Sequence, residues 1–130
     1  MGRKKAAGPT EMELQILSVL WARGPSTVRT VNTLMNEDQR TGYTTTLKLM
    51  QIMHEKGLLT RDATSKTHVY SPANPEAHVQ EQVVNSLLER VFAGSTEKLV
   101  MRALSSSTVS AEELSRIKKL IKDKEQESRR

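Results

Sequence analysis

The spacing of the apolar residues changes abruptly at Gly57, and this change constrains the fold more than any other feature of the chain. Before Gly57, apolar residues recur with the three-to-four-residue spacing of amphipathic helices. After it, residues 59–62 and 67–70 are short β-prone segments separated by residues 63–66, which predicts a hairpin. Beyond Pro75 the helical spacing returns. We therefore expect a mainly α-helical chain with one small β-hairpin.

Three helices are predicted before the hairpin, because capping and turn residues separate their apolar stripes. Thr10 is the expected cap of the first helix, and Glu13 completes a capping box with it. Gly24 is expected to end that helix, and Ser26 to cap the second. The third helix is predicted over residues 44–56. Three helices followed by a hairpin is the element order of a winged helix-turn-helix.

The third predicted helix has an apolar face and a polar face. Its inward positions are expected to be Thr46, Leu49, Met50 and Met53. In a winged helix-turn-helix the other face enters the DNA major groove, where Lys can bond guanine, Gln can pair with adenine and a Thr methyl can pack on thymine. The residues that we expect on double-stranded DNA, from this helix and the hairpin, are Tyr43, Thr44, Thr45, Lys48, Gln51, Arg61, Lys66 and Thr67. A solvated helix start for the threonines and a core position for Tyr43 are the alternatives.

The end of the chain is predicted to form three short helices. Breaks are expected at residues 94–95 and 105–109, with Thr96 and Ser110 as the caps of the helices that follow. Helices this short cannot bury their apolar stripes on one another alone. A second copy of the chain would complete such a core, so we expect a homodimer.

The chain is predicted to divide into a basic flexible arm at residues 1–8, a winged-helix domain at 9–73 and a helical dimerisation domain at 74–130. It carries 20 Lys and Arg residues against 15 Asp and Glu, and the excess lies mainly in the first half. There, residues 1–74 hold 10 basic and 6 acidic side chains. The favoured partner of this half is a polyanion.

The composition gives no support to catalysis. The chain has no cysteine, which excludes disulfides, thiolate metal sites and thiol nucleophiles. His54, His68 and His78 lie in three different predicted elements, and the sequence has neither a Gly-rich phosphate loop nor a nucleophile elbow. We expect no catalytic residues, no metal and no cofactor. No apolar run is long enough to span a membrane and the basic start lacks a secretory signal's apolar stretch, so we expect a cytoplasmic protein.

Separate motifs along the chain carry a family resemblance. They are the Glu-Met-Glu-Leu-Gln-Ile-Leu-Ser-Val-Leu-Trp segment at 11–21, Tyr43-Thr44-Thr45, Leu49, Lys56-Gly57-Leu58 and Tyr70-Ser71-Pro72. In these motifs the chain resembles the BlaI/MecI penicillinase-repressor family of winged-helix transcriptional regulators, over residues 10–121.

The resemblance implies a homodimeric repressor that binds a palindromic operator through Thr44, Thr45 and Lys48. It implies apolar dimer contacts at Val83, Leu87, Val91, Leu99, Val100, Leu104, Leu114, Ile117 and Ile121. Family members that respond to β-lactams are cleaved at an Asn-Phe bond, and the corresponding pair here is Arg102-Ala103. The cysteine-rich tail of copper-responsive relatives is missing. The inducing signal therefore stays open, with a sensor protease or another derepressing factor as the partner to consider.

Two readings from other classes stand beside this one. A winged-helix protein–protein adaptor would carry its basic charge incidentally, and its DNA binding would be weak and independent of sequence. A small hydrolase or metalloenzyme would bind a metal stoichiometrically, which metal analysis of the purified protein would detect.

Overall fold

The computed structural model describes residues 9–37 and 40–129, and within them the chain forms six helices and two strands. In chain order these are α1 (Glu11–Arg23), α2 (Val28–Met35), α3 (Tyr43–Glu55), β1 (Leu59–Asp62), β2 (Val69–Pro72), α4 (Glu76–Arg90), α5 (Thr96–Ser106) and α6 (Ala111–Ser128). The mainly helical class with one antiparallel hairpin is confirmed. The basic arm expected at residues 1–8 lies outside the described residues.

The ends of α1 are set by the residues that the sequence predicts. The Thr10 hydroxyl accepts a hydrogen bond from the Glu13 amide at 3.2 Å, and the Glu13 carboxylate accepts one from the Thr10 amide at 2.9 Å. Gly24, with φ of 99°, follows the helix and donates its N–H to the Leu20 carbonyl. An L side chain is strained at such a φ, so glycine is suited to this exit.

The cap of α2 is Thr27, and the prediction of Ser26 is wrong. The Thr27 hydroxyl accepts a hydrogen bond from the Thr30 amide. Ser26 instead exchanges two backbone hydrogen bonds with Tyr70, at 3.0 and 2.8 Å. Its buried hydroxyl donates to the Gly24 carbonyl at 2.8 Å. Pairing with β2, which lies far along the chain, therefore decides the role of Ser26.

The second strand of the hairpin begins two residues later than the predicted segment 67–70. Leu59 lies opposite Pro72 and Asp62 opposite Val69, so β2 begins at Val69 and Thr67 lies in the loop. The Tyr70 backbone, in the middle of β2, is bonded on its other side to the segment before α2. Because both edges of this strand are paired at Tyr70, its position is fixed by tertiary contacts as well as by the turn.

The core of the first compact unit lies between α1, α2, α3 and the hairpin, and the first half of α4 packs against it. The buried apolar side chains are Ile16, Leu17, Leu20, Val28, Val31, Met35, Met50, Met53, Leu59, Tyr70 and Val79. Val79 belongs to α4, and the unit continues to Ser86. The compact unit thus extends beyond residue 73, where the sequence places the end of the winged-helix domain.

The second compact unit, residues 87–130, contains the end of α4 with α5 and α6. Neither α5 nor α6 has a buried residue. The cap of α5 is Ser95, whose hydroxyl accepts a hydrogen bond from the Lys98 amide, so the prediction of Thr96 is wrong by one residue. Ser110 caps α6 as predicted. In the described part of the chain, no helix is both long and apolar enough to cross a bilayer.

Candidate nucleic-acid interface

The orientation of α3 follows from its buried face. Thr46, Met50 and Met53 are completely enclosed in the core of the first unit, and Leu49, also predicted inward, is half-buried. The opposite side of the helix is exposed. All the α3 residues that the sequence assigns to DNA are exposed: Thr44, Thr45, Lys48 and Gln51 lie on this side, and Tyr43 is in the first turn. Tyr43 is 44% exposed, which rules out a place in the core.

A small polar network attaches the start of α3 to α2. The amide nitrogen Nδ2 of Asn32 donates to the Thr41 carbonyl and to the buried Thr46 hydroxyl, both at 2.8 Å. The Asn36 side-chain oxygen accepts a hydrogen bond from the Thr41 amide at 2.6 Å. These bonds fix the loop between the two helices where it enters α3, so they also fix the position of the exposed first turn.

An ion pair attaches the other end of α3 to α1. The Lys56 ammonium, at the C-cap of α3, lies 2.8 and 3.0 Å from the two carboxylate oxygens of Glu13. The Glu13 side chain is only 4% exposed. Its burial by itself would raise the pKa of the Glu13 carboxyl, but the hydrogen bonds from Lys56 and Thr10 and the Lys56 charge outweigh that and lower the pKa. The carboxylate is therefore ionised at neutral pH.

A concave surface lies where α3 meets the hairpin and the start of α2, and it encloses a cavity of about 400 Å³. Its lining includes five of the predicted DNA contacts: Tyr43, Gln51, Arg61, Lys66 and Thr67. It also includes Thr27, Arg29 and His68, which the sequence did not assign to DNA. No sequence pattern pointed to the first two, because only the packing of α2 against α3 brings the start of α2 to this surface. Thr44, Thr45 and Lys48 lie on the exposed face of α3 outside this lining.

The concave surface is positively charged. Its lining contains the side chains of Arg29, Arg61 and Lys66 and no carboxylate. Among the described residues, none of these three cations forms an ion pair. The Arg29 guanidinium lies over the Tyr43 ring, 5.4 Å from its centroid. Unpaired cations beside an exposed helix face with Thr, Lys and Gln side chains are suited to a polyanion.

The second unit presents apolar side chains at its surface. Of the predicted dimer contacts, Val91, Val100, Leu104, Leu114 and Ile121 are exposed, whereas Leu87, Leu99 and Ile117 are half-buried. Val83 is different, because it packs against the core of the first unit. Met101 and Leu120 are exposed apolar residues that the prediction did not include. Such a surface on a short helical unit is typical of a protein interface.

Over the described residues, the structure brings together no group of three His, Asp or Glu side chains that could hold a metal ion.

Comparison with known proteins identifies relatives over most of the chain. The family model of the penicillinase repressor matches residues 9–123. A penicillinase repressor of Bacillus licheniformis is 25% identical over 120 residues, which cover 92% of this chain and 94% of that protein. A solved MarR family protein from Bacillus stearothermophilus superimposes with a TM-score of 0.50 at 18% identity, covering 94% of this chain and 76% of that one. The last similarity bears on the winged-helix fold alone.

Proposed function

This chain belongs to the penicillinase repressor family, and from that premise we propose that it is a transcriptional repressor that binds a palindromic operator as a homodimer. Its family and its winged-helix fold are those of DNA-binding regulators rather than of enzymes. In the proposed mechanism two copies of α3 enter successive major grooves, about 34 Å apart, and obstruct the polymerase.

The observation that carries this proposal is that α3 and the hairpin together form one cationic surface. The exposed face of α3 presents Thr45 and Lys48, and the adjoining concave surface adds Arg61 and Lys66 from the hairpin. The Thr and Lys side chains on α3 can bind base edges, whereas the hairpin cations can bind the phosphate backbone. One protein surface therefore offers both kinds of contact that specific binding requires.

The apolar surface of the second unit supports the dimer. Leu114 and Ile121 on α6 and Val100 and Leu104 on α5 are all exposed. A second copy that covered them would remove apolar surface from water, which contributes about 25 cal/mol per Å² buried. We assign residues 74–130 mainly to this contact and residues 9–73 to DNA. Dimerisation would make the second half-site bind intramolecularly, which raises the affinity for a palindrome.

The proposal is tested by fluorescence anisotropy on duplexes from the region upstream of the chain's own gene, against a scrambled duplex and across a salt series. We expect an upstream duplex to bind at least about a thousandfold more tightly, at two chains per site. Equal affinities that both disappear at physiological salt would contradict specific binding at that region and would favour an adaptor without sequence recognition.

A pair of variants identifies the surface that carries specificity. Lys48→Ala removes a charge from the exposed face of α3, and Lys119→Ala removes the same charge from α6 in the second unit. We expect Lys48→Ala to weaken operator binding by about 1–3 kcal/mol more than random binding, the range for a lost base contact. Lys119→Ala should leave the ratio unchanged. An equal loss on both duplexes for Lys48→Ala would make this residue a phosphate contact.

A further inference from the structure

The Arg29 side chain is the least expected part of the cationic surface. It lies in the first turn of α2, outside the predicted recognition helix and hairpin, and yet it lines the same concave surface as Arg61 and Lys66. The first turn of α2 contains no acidic residue. Three positive charges therefore lie around one cavity, and no carboxylate among the described residues pairs with them. The three charges repel one another, and a bound anion would relieve this repulsion.

The contact between Arg29 and Tyr43 holds the guanidinium in place. A guanidinium over an aromatic ring at this distance is attracted to the negative face of the ring, and its N–H donors at the edge stay free for another partner. Both residues are exposed, and Tyr43 is the first residue of α3. The ring therefore connects the start of α2 to the start of the recognition helix and orients an Arg that lacks an ion pair among the described residues.

We infer that Arg29, held on the Tyr43 ring, binds a backbone phosphate of the operator in the cavity between α2, α3 and the hairpin, which Arg61 and Lys66 also line. This inference rests on the proposed DNA binding and adds to it a phosphate site on α2. A planar guanidinium can donate two parallel hydrogen bonds to phosphate oxygens, and two Arg side chains line this cavity. Such a contact fixes the register of α3 in the groove and carries no sequence information itself.

The first test is the salt dependence of binding to operator and scrambled duplexes. Arg29→Gln removes one phosphate contact per protomer, so we expect about a tenfold loss on both duplexes alike and a slope in log salt that is shallower by about 0.9 per contact. Arg29→Lys keeps the charge and should keep the slope. Lys122→Ala on α6 is the matched control for a lost surface charge, because Lys122 is exposed and has no ion pair among the described residues, and it should bind as the wild type does.

A second test locates the phosphate. Operator duplexes that carry one uncharged methylphosphonate linkage at a time are scanned with the wild type and with Arg29→Gln. We expect a single linkage in each half-site whose neutralisation weakens the wild type by about tenfold and leaves Arg29→Gln unaffected. The same scan with Tyr43→Leu should show a smaller effect at that linkage, because the guanidinium loses its support.

The outcomes separate this inference from the proposed function. A wild type that does not bind DNA contradicts both. A wild type that binds its operator, with an Arg29→Gln variant of unchanged thermal unfolding and unchanged salt slope, overturns the phosphate site alone. The methylphosphonate scan would also overturn it if neutralising each linkage weakened the binding of Arg29→Gln as much as that of the wild type.

Discussion

The ion pair between Lys56 and Glu13 allows a stability prediction worked from the structure. Glu13 is 4% exposed and Lys56 is 41% exposed. In Lys56→Met the aliphatic part of the side chain is kept, but Glu13 Oε2 loses its described partner and only Oε1 still accepts the Thr10 amide. Because Lys56 is partly solvated, the cost is below that of breaking a fully buried pair. We expect the free energy of unfolding to fall by about 2 kcal/mol at pH 7.

The pH dependence of this loss has a definite sign. The folded pKa of Glu13 is lowered from its ordinary value of 4.5, so the pair stabilises the fold above that pH and the stabilisation is lost as the pH falls through the folded pKa. In Lys56→Met the carboxyl stays buried without the ammonium, so it takes up a proton at higher pH. The difference in the free energy of unfolding between wild type and variant is therefore expected to become smaller below pH 4.5.

The assay is urea unfolding followed by circular dichroism, at one protomer concentration because association changes the apparent stability. Lys48→Met is the control, since Lys48 is an exposed lysine of the same helix with no ion pair among the described residues. It should stay within about 0.5 kcal/mol of the wild type. The double variant Glu13→Gln with Lys56→Met should be more stable than Lys56→Met alone. A Lys56→Met variant as stable as the control would refute the reasoning.

Three further predictions concern other parts of the chain. Thr46→Val removes a buried acceptor of Asn32 while leaving its bond to Thr41, so urea unfolding should show a loss of about 1 kcal/mol, and no change would mean that this bond adds nothing. Gly57→Ala places a side chain at φ of 84° in open space, so backbone strain alone should cost about 1 kcal/mol by thermal unfolding, and a gain would contradict it. Leu114→Asp puts a charge into the apolar surface of α6 and should abolish the dimer mass at micromolar concentration in sedimentation, whereas a surviving dimer would exclude that surface.

Local features of the sequence predicted the ends of α1 and the cap of α6, whereas the caps of α2 and α5 were each misplaced by one residue. The Thr10 cap with Glu13 and the exit at Gly24 both depend on neighbours within a few positions, and both are present. The exposed side of α3 was predictable for a related reason: the 3.6-residue period places Thr46, Met50 and Met53 on one side, so the polar residues face the other.

The concave surface could be predicted only in part. The sequence pointed to Arg61 and Lys66 through the hairpin turn, but it gave no measure of how near α2 comes to that turn. Asn32 and Asn36 attach the start of α3 to α2 through hydrogen bonds with Thr41 and Thr46, which lie outside α2, and Arg29 lines the surface formed there. Contacts between different helices and strands follow no regular spacing along the chain, so a sequence pattern does not predict them.

The sequence by itself determined the element types and their order, the exposed face of α3 and the family, since these follow from hydrophobic periods, caps and motifs that act over a few residues. The tertiary structure decided what depends on pairing across the chain. Ser26 lies against Tyr70 instead of capping α2, and β2 is shifted to start at Val69 because its backbone is bonded on both sides. It also decided that Arg29 stands over Tyr43, since only the packing of α2 against α3 brings that cation to the recognition helix.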